Sequence, residues 1–442
     1  MHYDLRVVNG TVVSSSQQTP MDIGVIGGKI VALGDLGQDS SEETLDARDL
    51  YVLPGILDTQ VHFREPGLEH KEDLESGTRA AIMGGVTTIF EMPNTNPLTI
   101  STETLQDKLD RANGRAWCDY SFFVGAATDN IENLGALEML PGTPGVKIFM
   151  GSSTGTLLVS EDEDLRKVLL NGVRRCPIHA EDEPRLRERK ALVEGGAHVR
   201  EHFVWRDTES AVKATNRILA LSAETRRPVH ILHISTAEEL PILEKAKRAG
   251  LNTTCEVTPQ HLTLNEEAYE SLGTYAQMNP PIRTERDRQA LWRAVQAGLF
   301  DVFGSDHAPH TKDEKAKPYP QSPSGMPGVQ TLVPVLLTAV EQGMISIERF
   351  VAMACENPAL IYGVKGKGFI REGYDADLVV VDRRSTYSIQ DKWLQSKCGW
   401  SPFMGSEVNG MPIHTVLRGR VVVRDMELQG SPGGAMVGFD WK

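Results

Sequence analysis

The sequence predicts a (β/α)8 TIM-like barrel carrying a small β-sandwich domain formed by both chain termini. Two features carry that prediction. Apolar strand-like runs between residues 56 and 306 alternate with stretches of helical period, the pattern of βαβ units around a parallel sheet. Both ends of the chain, in contrast, read as short strands and tight turns with little helix. The central runs are ILDTQVHF (56–63), TTIFEMP (87–93), DYSFFVG (119–125), GVKIFM (145–150), PIHAE (177–181), PVHILHIS (228–235), TTCEVTP (253–259) and DVFGSD (301–306). Segments such as EDLESGTRAAIMGG and STAEELPILEKAKRAG separate them with amphipathic helical period. Eight such units point to a closed barrel rather than an open sheet.

At the N-terminal end, DLRVVNGTVV, DIGVIGGKIVALG and YVLPG are strand-like, with Asn9-Gly10 and Gly27-Gly28 as hairpin signals. The same style returns after Gly366 in GYDADLVVVD and HTVLRGRVVVRD, before a tail containing Gly and Pro. The expected division is therefore a composite β-sandwich, 1–53 with 366–442, and a barrel, 54–365. A length of 442 residues would make about three domains at roughly 150 residues each, but α/β barrels run past that as one unit. No fixed-period repeat or low-complexity segment is present.

Composition excludes several functions. With 40% hydrophobic and 24% charged residues, the chain reads as globular. A net charge of −14 opposes a phosphate backbone, so no nucleic acid partner is expected. No apolar run approaches the roughly 20 residues of a membrane span, and MHYDLRVVNG lacks the apolar segment of a signal peptide, so the expected location is cytoplasmic, away from membranes. Five widely spaced cysteines without a Cys-x-x-Cys pair argue against a disulfide framework or a zinc knuckle. Any metal must rest on His, Asp, Lys or similar ligands.

Barrels of this kind place their chemistry at the carboxyl ends of the strands, and here those ends are rich in polar groups. The first run ends Gln60-Val61-His62-Phe63-Arg64, where period-2 alternation puts Gln60, His62 and Arg64 on one face. The fourth carries Lys147, the fifth His179, the sixth His230 and His233, and the eighth ends in Asp306 with His307 and His310 following. One strand-end histidine is usually structural, but several converging on one mouth reverse that reading. His230 and His233 lie an odd number of positions apart, so one faces the axis. His233, nearer the carboxyl end, is the choice, leaving His230 to packing. Lys147 within an apolar run is costly as an unpaired ammonium. Carboxylation by carbon dioxide would convert it to an anionic group able to bridge two divalent cations. The alternative is a lysine paired with a nearby carboxylate.

DTQVHFREPGLEHKEDLESGTRAAIMGGVTTIFEMPNTNP (58–97) and GSDHAPH (304–310) resemble the dihydroorotase family of cyclic amidohydrolases. GVKIFM, PIHAED, HILHIST, CEVTPQHL, MNPPIR and SPSGMPGVQT extend the resemblance over nearly the whole chain. It implies a hydrolase of pyrimidine biosynthesis that interconverts N-carbamoyl-L-aspartate and (S)-dihydroorotate with one or two divalent metal ions, zinc by family habit. It implies metal ligation by His62, His179, His233 and Asp306, with Lys147 as the carboxylated bridge and Asp306 also shuttling protons. Arg64, Asn94 and His310 match positions that grip the substrate carboxylate, and Asn279 looks like a further substrate contact. An Arg fork suits a carboxylate. The competing readings are that Arg64 pairs with Glu65 or Glu69 at the surface and that Asn94 only shapes a turn. A homo-oligomer, dimer or tetramer, is expected, and association with aspartate transcarbamoylase is a further expectation.

Hydantoinases, dihydropyrimidinases and allantoinases share the metal apparatus, so another cyclic amidohydrolase is the near alternative. One position departs from the resemblance: Gln60 stands where the family has a metal histidine. A carboxamide oxygen is a weaker zinc ligand than imidazole and suits harder ions, which leaves the first metal site open and makes an impaired, scaffold-like homologue the distant alternative. Retention of His62, Lys147, His179, His233 and Asp306 favours an active enzyme. The small polar run Gly151–Gly155 reads equally as a closing loop or as a simple turn.

Overall fold

The computed structural model describes residues 1–37, 39–153 and 156–440. Each strand predicted for the barrel has a counterpart: Ile56–Val61, Val86–Glu91, Asp119–Phe122 with Val124–Gly125, Val146–Phe149, Cys176–His179, Val229–Ile231, Thr253–Val257 and Val302–Phe303. Neighbours pair in parallel and in chain order. A parallel bridge between Val61 and His307 joins the last strand's exit to the first and closes the ring. Helices cover the outside. The helix Leu74–Met83 begins at Asp73, whose carboxylate accepts from the Ser76 amide at 2.8 Å, and Glu285–Gln296 is capped in the same manner by Thr284. Such caps satisfy amides that the first turn leaves orphaned, at about 1 kcal/mol each.

Several strands are shorter than the sequence predicts, and most of the lost residues lie at the carboxyl ends. His233 and Asp306 have φ of 36° and 43°, outside the extended region, so ladder pairing stops before them. Gly304 is required by close approach, because a Cβ there would collide with the Glu256 carboxylate.

The sandwich is assembled from both termini. One four-stranded sheet holds Lys29–Gly34, Asp22–Ile26, His2–Val8 and Ser40–Asp46 in that order. In the other sheet, Leu378–Ser388 pairs with Tyr51–Pro54 on one side and Glu407–Leu417 on the other. Leu5, Ile23, Val25, Val52, Leu378 and Val416 belong to a separate apolar core between the sheets. The hairpin expected at Gly27-Gly28 forms, with φ of 58° and 76°.

Two features tie the sandwich to the barrel. The buried Lys367 ammonium lies 2.6 Å from Asp119 of the third barrel strand and 3.0 and 2.6 Å from Asp375 and Asp377. Arg418 also pairs with Asp119. The C-terminal tail then runs back along the barrel, where Tyr120 donates to the Ala435 carbonyl and Val437 donates to the Tyr120 carbonyl, both at 3.0 Å.

Candidate metal and substrate site

The carboxyl ends of the barrel strands surround a cavity lined in part by Gln60, His62, Arg64, Asn94, His179, His233, Asn279 and Asp306. Lys147 lies buried on the fourth strand beneath it, and His310 contacts Arg64 from the loop after the eighth. The fold therefore brings together the residues predicted as metal ligands and substrate contacts. His230 is turned away: it meets Thr254 Oγ1 at 2.7 Å and packs edge-on to Tyr362.

Asp306 is the hub of one half. Its Oδ1 is 3.1 Å from Gln60 Nε2, which donates to it, and 3.2 Å from His62 Nε2. The other nitrogen of His62 lies 2.7 Å from Asn94 Oδ1. In the second half, His179 Nδ1 and His233 Nε2 are 3.0 Å apart. His179 Nε2 donates to Glu181 Oε2 at 2.8 Å, so its Nδ1 presents the lone pair to the cavity. Burial pushes the pKa of His62, His179 and His233 below the usual histidine value, which keeps the imidazoles in the form that ligates metal.

Lys147 is 1% exposed. Among the described residues its Nζ makes neither a hydrogen bond nor an ion pair, and it lies 4.4 Å from the centre of the Phe149 ring. The reading of Lys147 as half of an ion pair finds no partner here. Burial lowers its pKa from 10.5 to about 7, with Asp306 and Glu256 opposing the shift. A neutral amine in that environment is the species that reacts with carbon dioxide. Buried imidazole lone pairs, a central carboxylate and an orphaned amine fit a divalent cation, in a donor set of N and O atoms. Gln60 offers its Oε1, which is buried without a hydrogen-bond partner among the described residues.

Arg64 defines the other wall. It is 1% exposed and adopts φ of 68°, a backbone conformation costly for a residue with a Cβ and sustained only by its surroundings. Its Nε donates to the Pro309 carbonyl at 3.1 Å, Nη2 lies 3.3 Å from His310 Nε2, and Nη1 has no hydrogen-bond partner among the described residues. Glu65 pairs instead with Arg115 at 2.7 Å and Glu69 accepts from the Gly67 amide at 3.0 Å, which removes the surface-pair reading of Arg64. Asn279 Oδ1 accepts from His202 Nε2 at 2.9 Å. Of the small polar run after the fourth strand, Thr154 and Gly155 lie outside the described residues.

Sequence reasoning overlooked the supports of this site. Glu181 orients His179 and is held by the Arg206 guanidinium; its position two residues after His179 was the available signal. The carboxylates of Asp58 and Glu256 are buried lower in the barrel, and burial raises the Asp58 pKa to about 7. Glu91 accepts from the Phe63 amide at 3.0 Å and pairs with the buried Lys108, bracing the exit of the first strand.

The amidohydrolase family model matches residues 51–422. A dihydroorotase of Methanosarcina mazei is 35% identical over 97% of this chain and 96% of its own length. An allantoinase of Salmonella choleraesuis is 32% identical over 96% and 95%. Among solved structures, an L-hydantoinase from Arthrobacter aurescens superposes with a TM-score of 0.94 at 29% identity, covering 98% of this chain and 99% of that one. Divalent metals are general in this family. With that likeness over the whole length of the barrel, the chain belongs to the amidohydrolase family and is a hydrolase acting on cyclic amides.

Proposed function

We propose that the protein is a dihydroorotase, catalysing the reversible interconversion of N-carbamoyl-L-aspartate and (S)-dihydroorotate in pyrimidine biosynthesis. The observation that carries this reading is the buried Arg64, whose Nη1 has no hydrogen-bond partner among the described residues, at the mouth of the site. A fully desolvated guanidinium calls for an anionic partner, and dihydroorotate has a ring carboxylate that hydantoin and allantoin lack. His62, His179, His233 and Asp306, with Lys147 carboxylated as a bridge, would hold one or two divalent ions, zinc being the natural match to imidazole ligands. Such an ion would supply Lewis acidity, lowering the pKa of water to about 7 and polarising an amide carbonyl.

The residues supply the rest. Asp306 takes the proton from the attacking water and delivers it to the ring nitrogen as the carbon–nitrogen bond breaks. Arg64, Asn94 and His310 hold the carboxylate, and Asn279 contacts the ring, fixing the carbonyl in reach. The reverse sequence closes the ring. We place the enzyme in the cytoplasm as a homo-oligomer, dimer or tetramer, for which aspartate transcarbamoylase is a partner to test by co-sedimentation. No helix among the described residues is long and apolar enough to cross a membrane.

The deciding experiment is turnover of dihydroorotate, hydantoin and allantoin by metal-supplemented protein, with elemental analysis. Dihydroorotate turnover far above the other two is expected. Preference for hydantoin or allantoin would replace the assignment with a sister activity. A chain that neither binds metal nor gains activity from it would be a scaffold.

A further inference from the structure

We infer that Lys71 is a positioning residue for carboxylate recognition, acting through His310. This inference rests on the dihydroorotase reading and names a residue outside the set that touches substrate. Lys71 lies in the loop after the first barrel strand, while His310 and Glu314 lie in the segment after the eighth. Its ammonium is largely buried, 3.1 Å from His310 Nδ1 and 3.2 Å from Glu314 Oε1.

An ammonium has only donors, so the contact with His310 Nδ1 requires a lone pair on that nitrogen. Burial, reinforced by the Arg64, Lys71 and Lys315 cations against the pull of Glu314, lowers the His310 pKa to about 3, leaving the ring neutral. A neutral imidazole that accepts at Nδ1 carries its proton on Nε2. The opposite tautomer would need Glu314 Oε2 as acceptor, and that oxygen stands 3.8 Å from Nδ1, beyond hydrogen-bond reach. Nε2–H donates to the Ser324 carbonyl at 3.0 Å, and Arg64 Nη2 lies 3.3 Å from the same nitrogen. An entering carboxylate can then accept from Arg64 Nη2 and share the Nε2 proton that the Ser324 carbonyl now takes. Lys71 fixes the ring in the donating form and adds a second positive charge beside Arg64.

A simpler role for Lys71 would be an ion pair with Glu314 that ties the two loops together. Kinetics of the metal-loaded, full-length protein separate the two. Lys71→Met is expected to raise KM for dihydroorotate about tenfold or more with kcat within about threefold, the signature of lost uniform binding. Lys71→Arg, which keeps a cationic donor, should recover most of the loss. Glu314→Gln breaks the same ion pair but leaves the lysine on His310, and its KM should stay within about threefold of the parent. Equal effects of Lys71→Met and Glu314→Gln, or an unchanged KM in Lys71→Met, would overturn the proposal.

A second measurement does not depend on activity or on any lysine variant folding. In ¹⁵N-imidazole NMR of the parent protein, the His310 signal, assigned by its loss in His310→Asn, should report neutral imidazole protonated at Nε2. A proton on Nδ1 would sink the inference. If the parent turns over hydantoin but not dihydroorotate, the functional reading fails and the carboxylate role fails with it, whereas the tautomer result stands or falls separately.

Discussion

Asp306 meets both Gln60 and His62 at hydrogen-bond distance, so one carboxylate serves the centre of the site. Asp306→Asn should lower kcat by about two to four orders of magnitude, the usual worth of a positioned acid–base group, with an unchanged circular dichroism melt. Retained turnover would remove Asp306 from proton transfer. Lys147→Ala should abolish metal binding, measured by elemental analysis, and short carboxylic acids should restore part of the activity by standing in for the proposed carbamate. Gln60 is the residue at which this chain parts from its resemblance. Imidazole is the stronger ligand for zinc, so Gln60→His should raise the number of zinc ions bound per chain, and an unchanged stoichiometry would show that Gln60 does not limit the first site.

At the scale of elements, the functional groups depend on how strands end. The second strand ends in Glu91, whose Oε1 holds the Phe63 amide at the exit of the first strand, between His62 and Arg64. The helix Thr102–Ala112 supplies Lys108 as the counter-ion, and both side chains are fully buried. Removing one partner of such a pair leaves an uncompensated charge. Lys108→Met should cost about 3–5 kcal/mol, read as a lowered urea midpoint, and should weaken substrate binding by loosening Arg64. A midpoint within experimental error of the parent would show the pair to be dispensable. These braces were not legible in the sequence because a glutamate in a β-run or a lysine in a helix looks the same whether it faces solvent or its partner. The strands themselves were legible from apolar periodicity. Their lengths were not, because backbone turns with positive φ at His233 and Asp306 depend on contacts across the barrel.

For the whole molecule, Lys367 gathers Asp119, Asp375 and Asp377 at the junction of sandwich and barrel, a cluster of carboxylates that would repel one another without it. Lys367→Met is expected to destabilise the protein by about 3–5 kcal/mol and to lower its melting temperature; an unaltered melt would mean that the junction tolerates the bare carboxylates. The net charge of −14 describes the surface and says nothing of the interior, where Arg64 and Lys71 make a local cationic corner. By itself the sequence determined the barrel, the sandwich built from both termini, and which side chains stand at the strand ends, because periodicity and residue type are local properties. Only the tertiary structure decided that Lys147 lacks an ion partner among the described residues, that Glu181 faces His179, and that Lys71 reaches His310 across 239 positions of chain. Those facts depend on closure of the ring, which brings the exits of the first and eighth strands together and removes water from the groups between them.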